Sequence, residues 1–127
     1  MPGHTPLPPP LRRLAAATLV AAAVFAFWAA LQPGLEPPGH GIDKLVHGGV
    51  FAVLGGLALA AAPDRRWLAA SVVILAGLGG LIEVAQYTLA SRDASVLDFL
   101  GDLAGIAAGV WAMRHVIERG RERFLAR

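Results

Sequence analysis

The sequence predicts an all-α polytopic membrane protein, a bundle of four transmembrane helices, and three observations predict it. Four apolar runs, Leu14–Leu31, Leu45–Ala62, Trp67–Ala90 and Val96–Val116, are each long enough to cross a hydrocarbon core. Between them lie short polar clusters rich in Arg, Pro and Gly. The composition is 56% hydrophobic and 16% charged with a mean hydropathy of +0.59, whereas soluble domains carry about 25% charged residues. A soluble core of this size has no room for so much apolar surface; a bilayer removes the need to bury it.

The 127 residues suffice for one domain, and no internal repeat is evident. With no cysteine, disulfides, thiolate metal sites and a cysteine nucleophile are excluded. The net charge of +2 and pI of about 9.9 imply nucleic acid only if basic residues form a patch on a soluble surface. Here they punctuate apolar runs, so they read as topology signals and no nucleic-acid partner is expected. Ten of the eleven basic residues are Arg, which hints at a GC-rich bacterial genome.

The elements follow in order. Met1–Pro10 holds five prolines, so residues 1–13 are expected to form a disordered, polyproline-like cytoplasmic tail ending in Arg12 and Arg13. The first run spans roughly 27 Å as a helix. It is longer than the core of a signal peptide and lacks a clean small-x-small cleavage site, so an anchor is favoured over a cleaved leader or a twin-arginine signal. Gln32–Gly41, with three prolines and three glycines, is a loop. Pro63-Asp64-Arg65-Arg66 is a four-residue turn after the second run, and Ser91–Ser95 a polar turn after the third. The membrane domain therefore occupies residues 14–116, and residues 117–127 form a basic cytoplasmic tail, in which an amphipathic helix near anionic lipid is expected to continue.

Orientation follows from the positive-inside bias. With the N-terminus inside, the cytoplasmic segments hold nine basic residues (Arg12, Arg13, Arg65, Arg66, Arg114, Arg119, Arg121, Arg123, Arg127) and the outer ones only Lys44 and Arg92. Both termini are expected in the cytoplasm of a bacterium, with the chain in its inner membrane.

That topology gathers the polar residues at one depth, near the outer face. The second helix starts there with Asp43, Lys44 and His47. The third ends there with Glu83, Gln86 and Tyr87. Arg92 and Asp93 sit in the outer turn, and the fourth helix starts with Asp98 and Asp102. Spacings of three and four put each set on one helix face. The stripes continue inward as small residues, Gly79 and Ala76 on the third helix and Gly105, Gly109 and Ala112 on the fourth, which let backbones approach. Gly101, Gly105 and Gly109 are read as packing residues without chemistry. Glu83, roughly 10 Å from the end of its helix by helical rise, is the most telling. A carboxylate in mid-helix costs on the order of 2.5–3.5 kcal/mol on insertion scales, so a partner, a proton or a ligand is implied. The competing view is a buried fastener holding the helices together. Asp98 reads equally as an N-cap, and His47 equally as a packing histidine.

At these residues, over about 43–109, the chain resembles the VanZ-like family of small bacterial membrane proteins. The family pattern of Asp-Lys-x-x-His and a later aromatic is matched by Asp43, Lys44, His47 and Phe51. Its Glu-x-x-Gln, Arg, Asp and glycines are matched by Glu83, Gln86, Arg92, Asp98, Gly105 and Gly109. Asp102 stands where the family commonly has Asn, and Gly48 where an aromatic is usual. The resemblance implies a role at the cell envelope, since the family takes its name from a protein associated with resistance to the glycopeptide teicoplanin. It implies no defined reaction and no cofactor.

Three functions compete. Lys44, His47 and Arg92 suit a phosphate, with Glu83, Asp98 or Asp102 as acid, base or ligand, so membrane lipids and a lipid-linked cell-wall precursor are the expected partners. Four carboxylates and a histidine also suit a divalent cation, although no run of the sequence matches a metal or nucleophile motif, and catalysis is the lesser expectation. A non-enzymatic scaffold is the alternative, and a small transporter using Glu83 as a proton relay is weaker than either.

Overall fold

Proline sets the start of the first helix. In the computed structural model, which describes residues 6–32, 42–89 and 95–126, helix α1 runs Pro9–Ala30. It thus begins inside the segment expected to be a disordered tail. First-turn N–H groups have no intrahelical partner, so proline loses nothing there and its fixed φ suits the helix. Pro8 stays extended (φ −52°, ψ 145°) and accepts the Arg12 N–H at 3.0 Å. Arg12 and Arg13 are therefore helical.

Helix α2 (Ile42–Ala61), α3 (Arg65–Leu89) and α4 (Val96–Leu125) complete an all-helical chain among the described residues. All four helices are long and apolar enough to cross a membrane, the architecture of a multi-pass protein. The Pro63–Arg66 turn is shorter than expected. Asp64 Oδ1 accepts the Trp67 N–H at 2.8 Å, so Arg65 and Arg66 already lie in the first turn of α3. Helix α4 passes through the expected boundary at residue 116 without a break. At 30 residues it is about 45 Å long, well beyond a hydrocarbon core of about 30 Å. Its projecting turns carry the Arg114 Nε–Glu118 Oε1 pair at 2.9 Å.

Packing is dominated by α2 against α4, two helices that run parallel. A Cβ added to Gly105 or Gly109 would overlap the backbone of Gly48 or Ala52, and one added to Gly55 would overlap Ile106. Lys44 meets Gly101, Gly48 meets Gly105, Ala52 meets Gly109 and Gly56 meets Met113, each pair 57 positions apart in the chain. The seam is the small-xxx-small packing of membrane helices, in which backbones touch. Ala112, expected in the stripe, is exposed; Met113 closes the seam instead.

Phe51, Leu54, Ala58, Leu75, Ile82 and Ile106 form the core, to which α1 adds only Leu19 as a buried residue. Val20, Val24, Phe25 and Trp28 of α1 point outward, as suits a helix in contact with lipid. One polar tie holds its far end: Gln86 Nε2 of α3 donates to the Ala30 carbonyl at 2.9 Å, satisfying a C-terminal acceptor that the helix itself cannot.

Candidate functional site

The α2–α4 seam decides which polar side chains meet. Lys44 and His47 are three apart on α2, and Asp98 and Asp102 four apart on α4, so fixing the register pairs them in order. Lys44 Nζ lies 3.0 Å from Asp98 Oδ1, and one turn deeper His47 Nδ1 lies 3.3 Å from Asp102 Oδ1. Exposure falls along the same line, from 39% for the Lys44 side chain to 0% for that of Asp102. The pairs form a short polar shaft at the end of the bundle away from Pro9 and Leu125.

Helix α3 closes the third side. Glu83 is buried, and its Oε2 accepts the Ser95 N–H at 2.8 Å. Ser95 in turn is the N-cap of α4, its hydroxyl accepting the Asp98 N–H at 3.2 Å. Asp98 is therefore not the cap, as the sequence allowed, but the third residue of the helix, in its first turn, and its carboxylate meets Lys44. In a capping box a glutamate of the same helix satisfies the cap residue's N–H; here a glutamate of another helix does so, tying α3 to α4.

What remains at the bottom is unbalanced. Glu83 Oε1 and both carboxylate oxygens of Asp102 are buried with no hydrogen bond among the described residues, and so is His47 Nδ1, which approaches Asp102 without a well-directed bond. One ligand atom each from His47, Glu83 and Asp102 lies within 4.8 Å of the others. A Cβ on Gly79 would stand 2.8 Å from Asp102 Oδ2. This glycine, expected as a packing residue, makes the room that the Asp102 carboxylate occupies. Among the described residues Lys44 answers Asp98, and a single imidazole faces the other two acids. Uncompensated charge at such depth is costly.

Of the expected site residues, the structure brings together Lys44, His47, Glu83, Asp98 and Asp102. Gln86 is buried but turns to α1, and Tyr87, expected on the face of Glu83, is 66% exposed. The side chain of Asp43, and Arg92 and Asp93 entirely, lie outside the described residues.

Beside the shaft is a feature that the sequence reading missed. A cavity of about 480 Å³ opens between α1, α2 and α3, walled by Ala22, Ala26 and Ala29 of α1, Val50 and Leu54 of α2 and Ile82 of α3. His47 and Gln86 supply its polar edge. The available signal was the run of alanines at spacings of three and four along α1, which leaves one face of that helix without bulk. His47 borders both spaces.

Comparison with family models, with curated proteins and with solved structures gave no match.

Proposed function

We propose that this chain is a VanZ-like protein of the bacterial cytoplasmic membrane, with both termini inside, that binds a phosphate-bearing amphiphile in the outer leaflet for a role at the cell envelope. The observation that carries the reading is the apolar groove lying beside the Lys44–His47 turn. Among helices exposed to lipid, an alanine-walled slot of this kind accepts an acyl or polyprenyl chain. Lys44 then supplies a cationic donor for a phosphate, a part the sequence also assigns to Arg92. A lipid-linked cell-wall precursor has both parts. The Asp-Lys-x-x-His and Glu-x-x-Gln spacings are what support the family reading.

The test is lipid retention. Purified protein is expected to carry phospholipid or polyprenyl phosphate by mass spectrometry, and Ala26→Leu with Ala29→Leu, which fill the slot, should remove it. Equal retention by wild type and filled variant would end this reading. Orientation is tested in a chain that has no cysteine of its own. Single cysteines at 43, 92 and 98 should react with an impermeant maleimide in intact cells, and one at 65 should not.

A second reading, a scaffold whose polar residues only fasten helices, is favoured by the Ser95–Glu83 hydrogen bond and the Lys44–Asp98 ion pair. It predicts that Glu83→Ala and His47→Ala are degraded. The binding reading predicts that they insert at normal levels and lose the envelope phenotype.

A further inference from the structure

We infer that His47, Glu83 and Asp102 form a binding site for one divalent cation of the Zn2+ class at the junction of α2, α3 and α4. One imidazole nitrogen and two carboxylate oxygens, from three different helices, converge within 4.8 Å. No linear motif could show this, because the three residues are separated by 36 and 19 positions. Among the described residues the ligand atoms are not spent elsewhere. Glu83 uses Oε2 on the Ser95 N–H, which fixes the carboxylate and leaves Oε1 bare, while in the fully buried Asp102 Oδ1 faces only His47 Nδ1 and Oδ2 is bare. Buried polar atoms are almost always paired, so two unpaired carboxylate oxygens beside an imidazole–carboxylate pair call for a missing partner.

Charge and distance narrow the partner. Glu83 and Asp102 together bring two negative charges, and Lys44 is engaged with Asp98 one turn above. A dication neutralises both acids at once, whereas a protonated His47 neutralises one. The His47 Nδ1 to Asp102 Oδ1 separation is 3.3 Å. With metal–ligand lengths of about 2.0–2.1 Å, the edge of a tetrahedron is about 3.3–3.4 Å, so this pair already stands at ligand spacing. Ca2+ needs about six to eight oxygens and Mg2+ a near-octahedral shell, more than this site offers. Imidazole with carboxylate suits Zn2+ and its neighbours. Gly79 adds the space: any side chain there would press on Asp102.

Three protein ligands leave a fourth position. His47 also edges the groove, from which water or a phosphate oxygen can reach the ion. The phosphate part of this statement rests on the lipid reading above; the metal site does not.

The experiment uses the full chain in detergent, stripped with chelator and titrated with Zn2+ alone, with bound metal counted by elemental analysis. One ion per chain is expected. Asp102→Asn and His47→Gln, chosen to keep side-chain volume, should each weaken binding by at least the roughly 10- to 100-fold that loss of even a supporting partner costs a metal site. His115→Ala, remote on α4, should leave it unchanged. Co2+ loaded into the wild type should give the intense visible bands of a tetrahedral ion, a readout independent of whether any variant folds. No uptake by the wild type, a pale octahedral Co2+ spectrum, or equal binding by wild type and Asp102→Asn would overturn the proposal. A further arm adds phosphatidylglycerol or phosphatidylcholine vesicles. If Zn2+ binds as stated but neither lipid alters the Co2+ spectrum, the metal site stands and phosphate ligation fails.

Discussion

Helices α1 and α2 lie side by side, yet they are built on opposite principles. Against α4, α2 presents Gly48, Ala52 and Gly56, and the backbones touch. Against α1 the same helix presents Val50 and Leu54 to a row of alanines, and a cavity is left between them. Small residues on both partners give contact; small residues on one partner, with the other held away by its core packing, give a hole. The tight side fixes distances among charged groups, and the loose side leaves space for a molecule.

The contrast is broken most severely at the seam. Gly109→Leu places a side chain into the Ala52 backbone and should destabilise the fold by about 3 kcal/mol, the upper part of the usual range for overpacking. The readout is thermal unfolding in detergent, with the Lys44–Asp98 pair lost at the same time. Next comes Glu83→Ala, which strands the Ser95 N–H and should cost about 1–3 kcal/mol. Glu83→Gln, which keeps an acceptor for that N–H, should recover most of this stability while still lowering Zn2+ affinity. The difference between the two variants separates fastening from ligation. Gln86→Leu removes the side-chain hydrogen bond from α3 to the Ala30 carbonyl of α1 and should cost about 1 kcal/mol. Its effect should be confined to α1, seen as faster amide exchange near Leu31 and Gln32. At the mild end, Gly77→Ala should change stability by no more than about 0.5 kcal/mol, because nothing lies within 4 Å of the new methyl group. If Gly77→Ala proved as harmful as Gly109→Leu, the seam would have no special standing.

The helices were legible because bilayer thickness writes itself into run length. The depth of the polar residues was legible too, since alternating direction puts Lys44, Glu83 and Asp98 at one end whatever the side-chain detail. Local chemistry was less so. Pro9 reads as a breaker until its place in a first turn is known, and the sequence offered Asp98 as a cap where Ser95 takes that place. Tyr87, four after Glu83, belongs to the same face by spacing, but α3 turns Gln86 toward α1 and leaves Tyr87 outside. The groove was hidden for a different reason. A cavity is a property of how far apart two helices stand, and the alanines of α1 are compatible with either close contact or a gap. The convergence of His47 with Asp102 depends in the same way on interhelical register, which no single run of residues encodes.

That register has a consequence of its own. Slide α4 by one turn along α2 and Gly48, Ala52 and Gly56 come to rest opposite Gly101, Gly105 and Gly109, a fit at least as smooth as the observed one. The glycines alone thus make a ratchet with more than one notch. The slipped notch would set Asp102 beside Phe51 and carry Asp98 away from Lys44 toward His47, abandoning acids in an oily interior. The charged pairs act as the pawl, much as a lone buried polar residue selects one alignment of a coiled coil. A chain this apolar keeps its few ions where they choose among packings that grease alone leaves equal.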